Sequence, residues 1–297
     1  MIRAVAVLVV SLVVLSAAAA DKFQLAPYKD KLFANPKPIQ TLYGGSFQIV
    51  EYSVQRDLRD RDEVPEKKAK ADYVSLDTRD AEQTLLMSDG PHKTNLAVVG
   101  KVEGPAKAIV IFLHGRGAGL QAGFDDWNFG GNFNRIKNLM MRSGGLYVSP
   151  SFDDFGDTGR SQVKGVMRAL AKGSPDAPVV LACASAAGRL CLALAADKEA
   201  GPRLAGMLFL GSGMKEIEPS VAALTKSGRR IPVFIGHGSK DTVVSWVRQE
   251  LFFKAVKETE PDYPIRFTLY APGLHGTPMR MVDWRAVINW MLDVGVG

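Results

Sequence analysis

Leu181-Ala182-Cys183-Ala184-Ser185-Ala186-Ala187-Gly188 is the stretch whose reading decides the fold. Pro178-Val179-Val180-Leu181-Ala182, apolar at every position, reads as a short strand covered on both faces. From Ala186 to Ala196 the chain is rich in helix formers, and Arg189 is its only charge. Ser185 therefore sits on a strand-to-helix turn, with small residues two positions before it (Cys183) and two after it (Ala187). A tight turn of this kind lifts a hydroxyl above the edge of a sheet. The alternative is a serine that only caps the helix that follows.

Outward from that stretch the chain alternates. Ala108 to Leu113 reads as a strand, Phe133, Ile136 and Met140 as one face of a helix, Leu146 to Ser149 as a strand, and Ser161 to Ala171 as a helix. After the Ser185 unit come a strand over Ala205 to Leu210, a helix over Ile217 to Thr225 and a strand over Ile231 to Ile235. Val244, Val247, Leu251 and Ala255 recur at helical spacing. Arg266 to Tyr270 is the last strand and Met279 to Met291 the last helix. Such alternation implies a mostly parallel sheet with helices on both faces.

Earlier in the chain, residues 21–44 read as an extended arm, and Ser46 to Tyr52 as a strand. Gln55 to Asp72 carries six basic and six acidic residues and reads as a solvated run. Tyr73 to Leu76, Gln83 to Met87 and Asn95 to Lys101 read as short strands forming an antiparallel edge. The expected organisation is one domain over 21–297, with the arm and edge strands in 21–105 and the chemistry in 106–297.

In an open α/β sheet, sites lie beyond the carboxyl ends of the strands. The strand ending at Leu113 runs into His114-Gly115-Arg116-Gly117. The strand ending near Ile235 leads to Gly236-His237-Gly238-Ser239-Lys240-Asp241, and the last strand to Leu274-His275-Gly276. Asp241 reads equally as a helix cap, and His237 as a residue that supports a site side chain from behind or packs, rather than as a catalytic one. Gly117-Ala118-Gly119-Leu120-Gln121-Ala122 also satisfies a dinucleotide pattern, which needs a carboxylate about 20 residues on, at the end of the next strand. That offset falls on Lys137 inside a helix, so the nucleotide reading fails and no cofactor is expected.

Ser185, Asp241 and His275 follow one another in the order nucleophile, acid, base, each at the end of its own strand. Here the chain resembles the α/β-hydrolase superfamily over roughly residues 100–297. The family's G-x-S-x-G appears as Cys183-Ala184-Ser185-Ala186-Ala187. The resemblance implies an α/β-hydrolase fold and an exported serine hydrolase, a carboxylesterase acting on small or medium esters. Ser185 would be the nucleophile, His275 its base and Asp241 the acid, with the backbone N–H groups of Arg116 and Ala186 as oxyanion donors. On the same fold the alternatives are a lipase-like or polymer-degrading esterase, an acyltransferase, a serine peptidase, or a non-catalytic binding protein.

Gly117 to Asn132 is a glycine-rich loop in which Phe124, Trp127 and Phe129 are the expected wall of a substrate pocket; the alternative is that they pin the loop down. Only about twenty residues separate the strands at Leu210 and Ile231, too few for a bulky cap. The Arg116 guanidinium either meets an anionic group of the substrate or pairs with Asp125, Asp126, Asp153 or Asp154.

Composition bounds the rest. The chain has 297 residues, 46% apolar and 23% charged, with a net charge of +6. The excess charge is spread out and no nucleic-acid motif is present, so no nucleic-acid partner is expected. Residues 1–20 form the pattern of a secretory signal peptide, with Arg3, an apolar core and Ala18-Ala19-Ala20 before Asp21. The mature protein is thus expected in the periplasm or outside the cell, with no stable membrane insertion. Cys183 and Cys191 read as two buried small residues rather than a bridge, because strand and helix diverge between them, and they make no metal site.

Overall fold

Strands that are apolar at every position need cover on both faces, and the chain supplies it with two layers of helices. The computed structural model describes residues 23–63, 68–214, 216–225 and 229–295. The expected signal peptide lies outside these residues. Among the described residues no helix is long and apolar enough to cross a membrane.

The N-terminal part contributes α1 (Asp30–Phe33), β1 (Gln40–Leu42), β2 (Phe47–Glu51), a two-residue ladder of β3 (Asp62–Glu63) with β4 (Lys68–Ala69), and the hairpin β5 (Glu82–Asp89) and β6 (His92–Val99). Then come β7 (Ile109–Leu113), α2 (Asn132–Arg142), β8 (Leu146–Pro150), α3 (Asp157–Gly173), β9 (Val179–Ala184) and α4 (Gly188–Ala195). The C-terminal part adds β10 (Leu204–Leu210), α5 (Ile217–Thr225), β11 (Val233–Gly238), α6 (Trp246–Thr259), β12 (Ile265–Ala271), α7 (Thr277–Met281) and α8 (Trp284–Val294).

Ten strands form one sheet in the order β1-β2-β12-β11-β10-β9-β7-β8-β6-β5. The run from β2 to β8 is parallel, and β1 at one edge and the β6-β5 hairpin at the other are antiparallel. β9 is central, between β7 and β10. Alternate residues of each strand feed opposite cores, as the pleat dictates. Ile109, Ile111, Leu181 and Cys183 pack towards α3, α4 and α6, whereas Val110, Phe112, Val180 and Ala182 pack towards α2 and α8. The mostly parallel sheet with helices on both faces expected from the strand–helix alternation is the one observed, with the antiparallel edge strands that the N-terminal part led one to expect.

Several local expectations are corrected. Tyr73 to Leu76 is not a strand but a turn and an irregular segment. The expected last helix is two helices, broken at Val282-Asp283, where the Asp283 carboxylate accepts the Ala286 N–H and starts a new one. α6 forms, but it buries Gln249, Phe252, Phe253 and Val256, while Val247 and Leu251 face outward. Cys183 and Cys191 are paired as a disulfide: strand and helix have not yet diverged there, and the Cα atoms are 6.5 Å apart.

The stretch around Leu25 and Asp30 lies against α2 and α8, and β1 farther on pairs with β2. Asp30 binds both Arg135 and Arg285 at 3.0 Å, and the Leu25 N–H donates to Asn289 Oδ1 at 2.7 Å. The charged run is not simply solvated. Asp57, Arg61 and Asp62 are buried, and Arg280 of α7 donates to both carboxylate oxygens of Asp62, at 3.0 and 2.6 Å. Burial, with the charge of Arg280 beside it, lowers Arg61 to about 10, and its guanidinium lies over the rings of Phe33 and Tyr73. Asp62 turns inward to meet Arg280 from the far end of the chain and Arg61 to reach the carbonyls of Gly130 and Arg280, while the Asp57 carboxylate is held by its neighbour Arg56. Removing one member of a buried pair strands the other, so Asp62→Ala is expected to lower unfolding stability by about 3–5 kcal/mol. Chemical denaturation measures this, and a loss below about 1 kcal/mol would mean the pair acts like an exposed one.

Candidate active site

The strand β9 ends at Ala184, and the next residue turns sharply. Ser185 has φ +51°, a left-handed conformation that L side chains avoid. The hydroxyl makes no cap bond to the helix behind it. It donates instead to His275 Nε2 at 3.0 Å. His275 follows β12, and its Nδ1–H donates to Asp241 Oδ2 at 2.7 Å. The tautomer follows from the partners, because only a donor at Nδ1 can satisfy the carboxylate. Three strand ends thus deliver Ser185, His275 and Asp241 into one hydrogen-bonded line.

Asp241 is the most completely satisfied group of the three. Its side chain is 0% exposed, and Oδ1 accepts the N–H groups of Val243 at 2.8 Å and Val244 at 2.9 Å. Oδ2 lies 3.1 Å from His237 Nε2, besides its bond to His275. Burial disfavours the carboxylate, but donors from His237, Val244, His275 and Val243 outweigh it and hold the carboxyl well below the usual range. Oδ1 thus closes the turn into Val244 and Oδ2 receives the histidine, while α6 itself starts after Ser245, so Asp241 is not that helix's cap. His237 is fully buried. Its Nε2–H is shared between Asp241 and the Val244 carbonyl at 3.0 Å, so it steers the carboxylate rather than filling space.

Gly115 passes directly over the serine. A Cβ there would lie 3.0 Å from Ser185 Cβ and 3.6 Å from its Oγ, so a side chain would push the loop off the site. Gly211, at φ +60°, is as tight against His275, since a Cβ there would stand 2.9 Å from its carbonyl. Among the described residues, the backbone N–H groups of Arg116 and Ala186 donate to no carbonyl of the surrounding turns and loops. His114 is buried, stacked on Phe152 with ring centres 4.2 Å apart, and burial pushes its imidazole down.

The aromatic loop is arranged otherwise than expected. Phe124 belongs to the core, under Lys137 Nζ at 4.4 Å. Trp127 carries Lys68 Nζ over its ring at 4.1 Å. These two pin the loop and are not a pocket wall. Phe129 alone approaches the site, 3.1 Å from where a Cβ on Gly276 would lie. The aromatic residues beside the serine are Phe152 and Phe155, which line a cavity with His114, Gly115 and Arg116. Their position just past the carboxyl end of β8 was the signal available in the sequence. Between β10 and β11 the described residues contribute one helix, α5, and no cap.

No protein-family model matches the sequence, and no curated protein does. Solved structures do resemble it. An esterase from Pyrococcus furiosus superposes with a TM-score of 0.55 at 13% identity, covering 73% of this chain and 93% of its own. An alpha-beta serine hydrolase homologue from Coxiella burnetii gives 0.51 at 13% identity, covering 71% and 97%. A protein from Thermus thermophilus gives 0.53 at 16% identity, covering 72% and 99%. At these identities the likeness speaks for architecture alone, and with the strand order and the three strand-end residues in place, the chain has the α/β-hydrolase fold.

Proposed function

We propose that the protein is an exported serine hydrolase that cleaves carboxylic esters through an acyl-enzyme. The observation that carries this reading is the continuous line from Ser185 Oγ to His275 Nε2 at 3.0 Å and from His275 Nδ1 to Asp241 at 2.7 Å. A serine hydroxyl is a weak nucleophile unless a base takes its proton during attack. In this reading Ser185 Oγ bonds to the ester carbonyl carbon as its proton passes to His275 Nε2. The charge that develops on the carbonyl oxygen meets the N–H groups of Arg116 and Ala186. Collapse breaks the bond to the alcohol oxygen, which leaves with the proton from His275. Water then repeats the sequence on the acyl-enzyme and releases the carboxylic acid. Asp241 remains ionised throughout and holds the imidazole in its working tautomer. Of the structures it resembles, one is an esterase and one a serine hydrolase homologue, which supports the same class.

A non-catalytic protein on this fold would have no use for a left-handed serine aimed at a histidine. Fluorophosphonate labelling separates the two, since only an activated serine reacts. Ser185→Ala is expected to abolish labelling and p-nitrophenyl ester hydrolysis while the circular dichroism spectrum stays native. Asp241→Asn is expected to lose about 10⁴ in turnover, because the wrong tautomer is favoured while the oxyanion donors survive. Turnover retained by folded Ser185→Ala protein would end the proposal.

Asp241 also makes the fold sensitive to acid. Its folded carboxyl lies below its unfolded value, so its contribution is fully present above the unfolded pKa of about 4 and is lost as the pH falls towards the folded value. Melting temperatures measured between pH 6 and pH 2 should therefore fall less steeply for Asp241→Asn than for the wild type. His237→Phe removes one donor and raises the folded value towards the unfolded one, so it should fall between them. Identical slopes for all three proteins would show that Asp241 carries no such linkage.

Export rests on the pattern of residues 1–20. N-terminal sequencing of the processed protein should read from Asp21 or close to it. A start at Met1 in the membrane fraction would instead indicate an uncleaved anchor.

A further inference from the structure

Beside the serine, three segments enclose a cavity of about 440 Å³: the loop Gly115–Ala118, the stretch Phe152–Gly156 after β8, and Arg189 on the first turn of α4. Gly115 is common to the cavity wall and to the contact over Ser185, so the space opens next to the hydroxyl. Two guanidinium groups reach it, from Arg116 and Arg189, both exposed residues.

The state of these two arginines sets them apart. Arg135, Arg280 and Arg285 are all engaged by carboxylates. Among the described residues Arg116 and Arg189 hold no ion pair and no side-chain hydrogen bond; Arg116 lies over the Phe155 ring, 5.9 Å from its centre. Three of the four carboxylates that could have met Arg116 are bonded elsewhere. Asp125 accepts the N–H groups of Trp127 and Asn128, and Asp126 binds Lys137 at 2.6 Å. Asp154 accepts the N–H groups of Gly156 and Gly159. Asp153 shares the cavity but makes no ion pair with either arginine. The loop-tying role for Arg116 is therefore not the one observed.

We propose that this cavity selects esters that carry a carboxylate a few atoms from the scissile carbonyl, held by Arg116 and Arg189; the proposal rests on the hydrolase reading of Ser185. A guanidinium presents a fixed fork of donors that matches a carboxylate, and a ring beneath it holds the fork in place. Phe152 and Phe155 offer apolar surface to the methylene spacer. The charge balance favours a single negative charge over a phosphate dianion. Asp153 and Asp154 line the same space as the two arginines, so the wall is formally neutral and repels a second anionic charge. The substrate class is thus the monoester of a short dicarboxylic acid.

The test compares two p-nitrophenyl esters that differ at one group, the adipic acid hemiester and its terminal amide. The wild type is expected to prefer the acid in kcat/KM by about tenfold, the scale of one hydrogen bond to a charged group. The ratio of the two constants is the readout, so a general loss of activity cancels. Arg189→Gln should lower the ratio several-fold, the double variant with Arg116→Gln should bring it to about one, and Asp153→Asn should raise it. A wild-type ratio of one, or a ratio that both arginine variants leave unchanged, overturns the proposal. Calorimetry on Ser185→Ala protein keeps the two readings apart, because it needs no turnover. Tighter binding of the acid than of the amide, lost in Arg189→Gln, with neither ester hydrolysed by the wild type, would retain the pocket and remove the hydrolase. Equal binding of acid and amide alongside hydrolysis of both would do the reverse.

Discussion

The left-handed backbone of Ser185 is the constraint on which the site depends. Holding a non-glycine residue there costs about 1–2 kcal/mol, and it persists only where the surroundings leave no alternative. They leave none here. β9 is buried along its whole length between β7 and β10, and α4 packs back against the same layer. The Ser212 hydroxyl donates to the Cys183 carbonyl at 2.6 Å, which holds the end of the strand from the neighbouring side. The disulfide to Cys191 joins the same strand to the second turn of α4. The crowding also explains the residue types. Alanine suffices at Ala187, whereas the loops that cross closest to the serine and the histidine need glycine at 115 and 211.

Rigidity is unevenly shared among the three residues. Asp241 is saturated by two backbone donors and two histidines and its side chain has no solvent exposure, so its position is fixed and it stays ionised near neutral pH. His275 is 26% exposed at its side chain, and Ser185 is half-buried. The open half of the site is therefore the half that must admit a substrate, and the cavity beside Gly115 lies there.

Much of this was legible because it depends on local pattern. Fully apolar strands alternating with helices define a parallel sheet, and the sheet places its strand ends together. Three polar residues at three such ends could be brought into one site from chain order alone. Other features were not legible, because their cause lies far away in the chain. The run from Gln55 to Asp72 looks solvated by composition, yet Asp62 turns inward to meet Arg280, 218 residues later. Phe124 and Trp127 look like a pocket wall by proximity to the loop, yet Lys137 and Lys68 draw their rings away. Nothing in the spacing of Met279 to Met291 marks the break at Asp283. Val247 and Leu251 have helical spacing but lie on the outer face, since Phe252 and Phe253 bury more surface by pointing inward.

The N-terminal segment lies outside the strand–helix alternation, yet it bears on the placement of His275. α7 begins two residues after His275, and its Arg280 is gripped by Asp62 and by the Asp57 carbonyl at 3.1 Å. The same short helix is held from the other side by Asn132 of α2, which donates to the carbonyls of Met279 and Val282 at 2.9 and 3.0 Å. The loop carrying His275 is thus fastened at one end by β12 and at the other by a helix clamped between two distant parts of the chain. A base on a loop with only its strand attached would swing, and a 3.0 Å contact to the serine hydroxyl would be one arrangement among many. The buried charges of residues 57–62, costly to desolvate, are retained at the point where they restrict that motion.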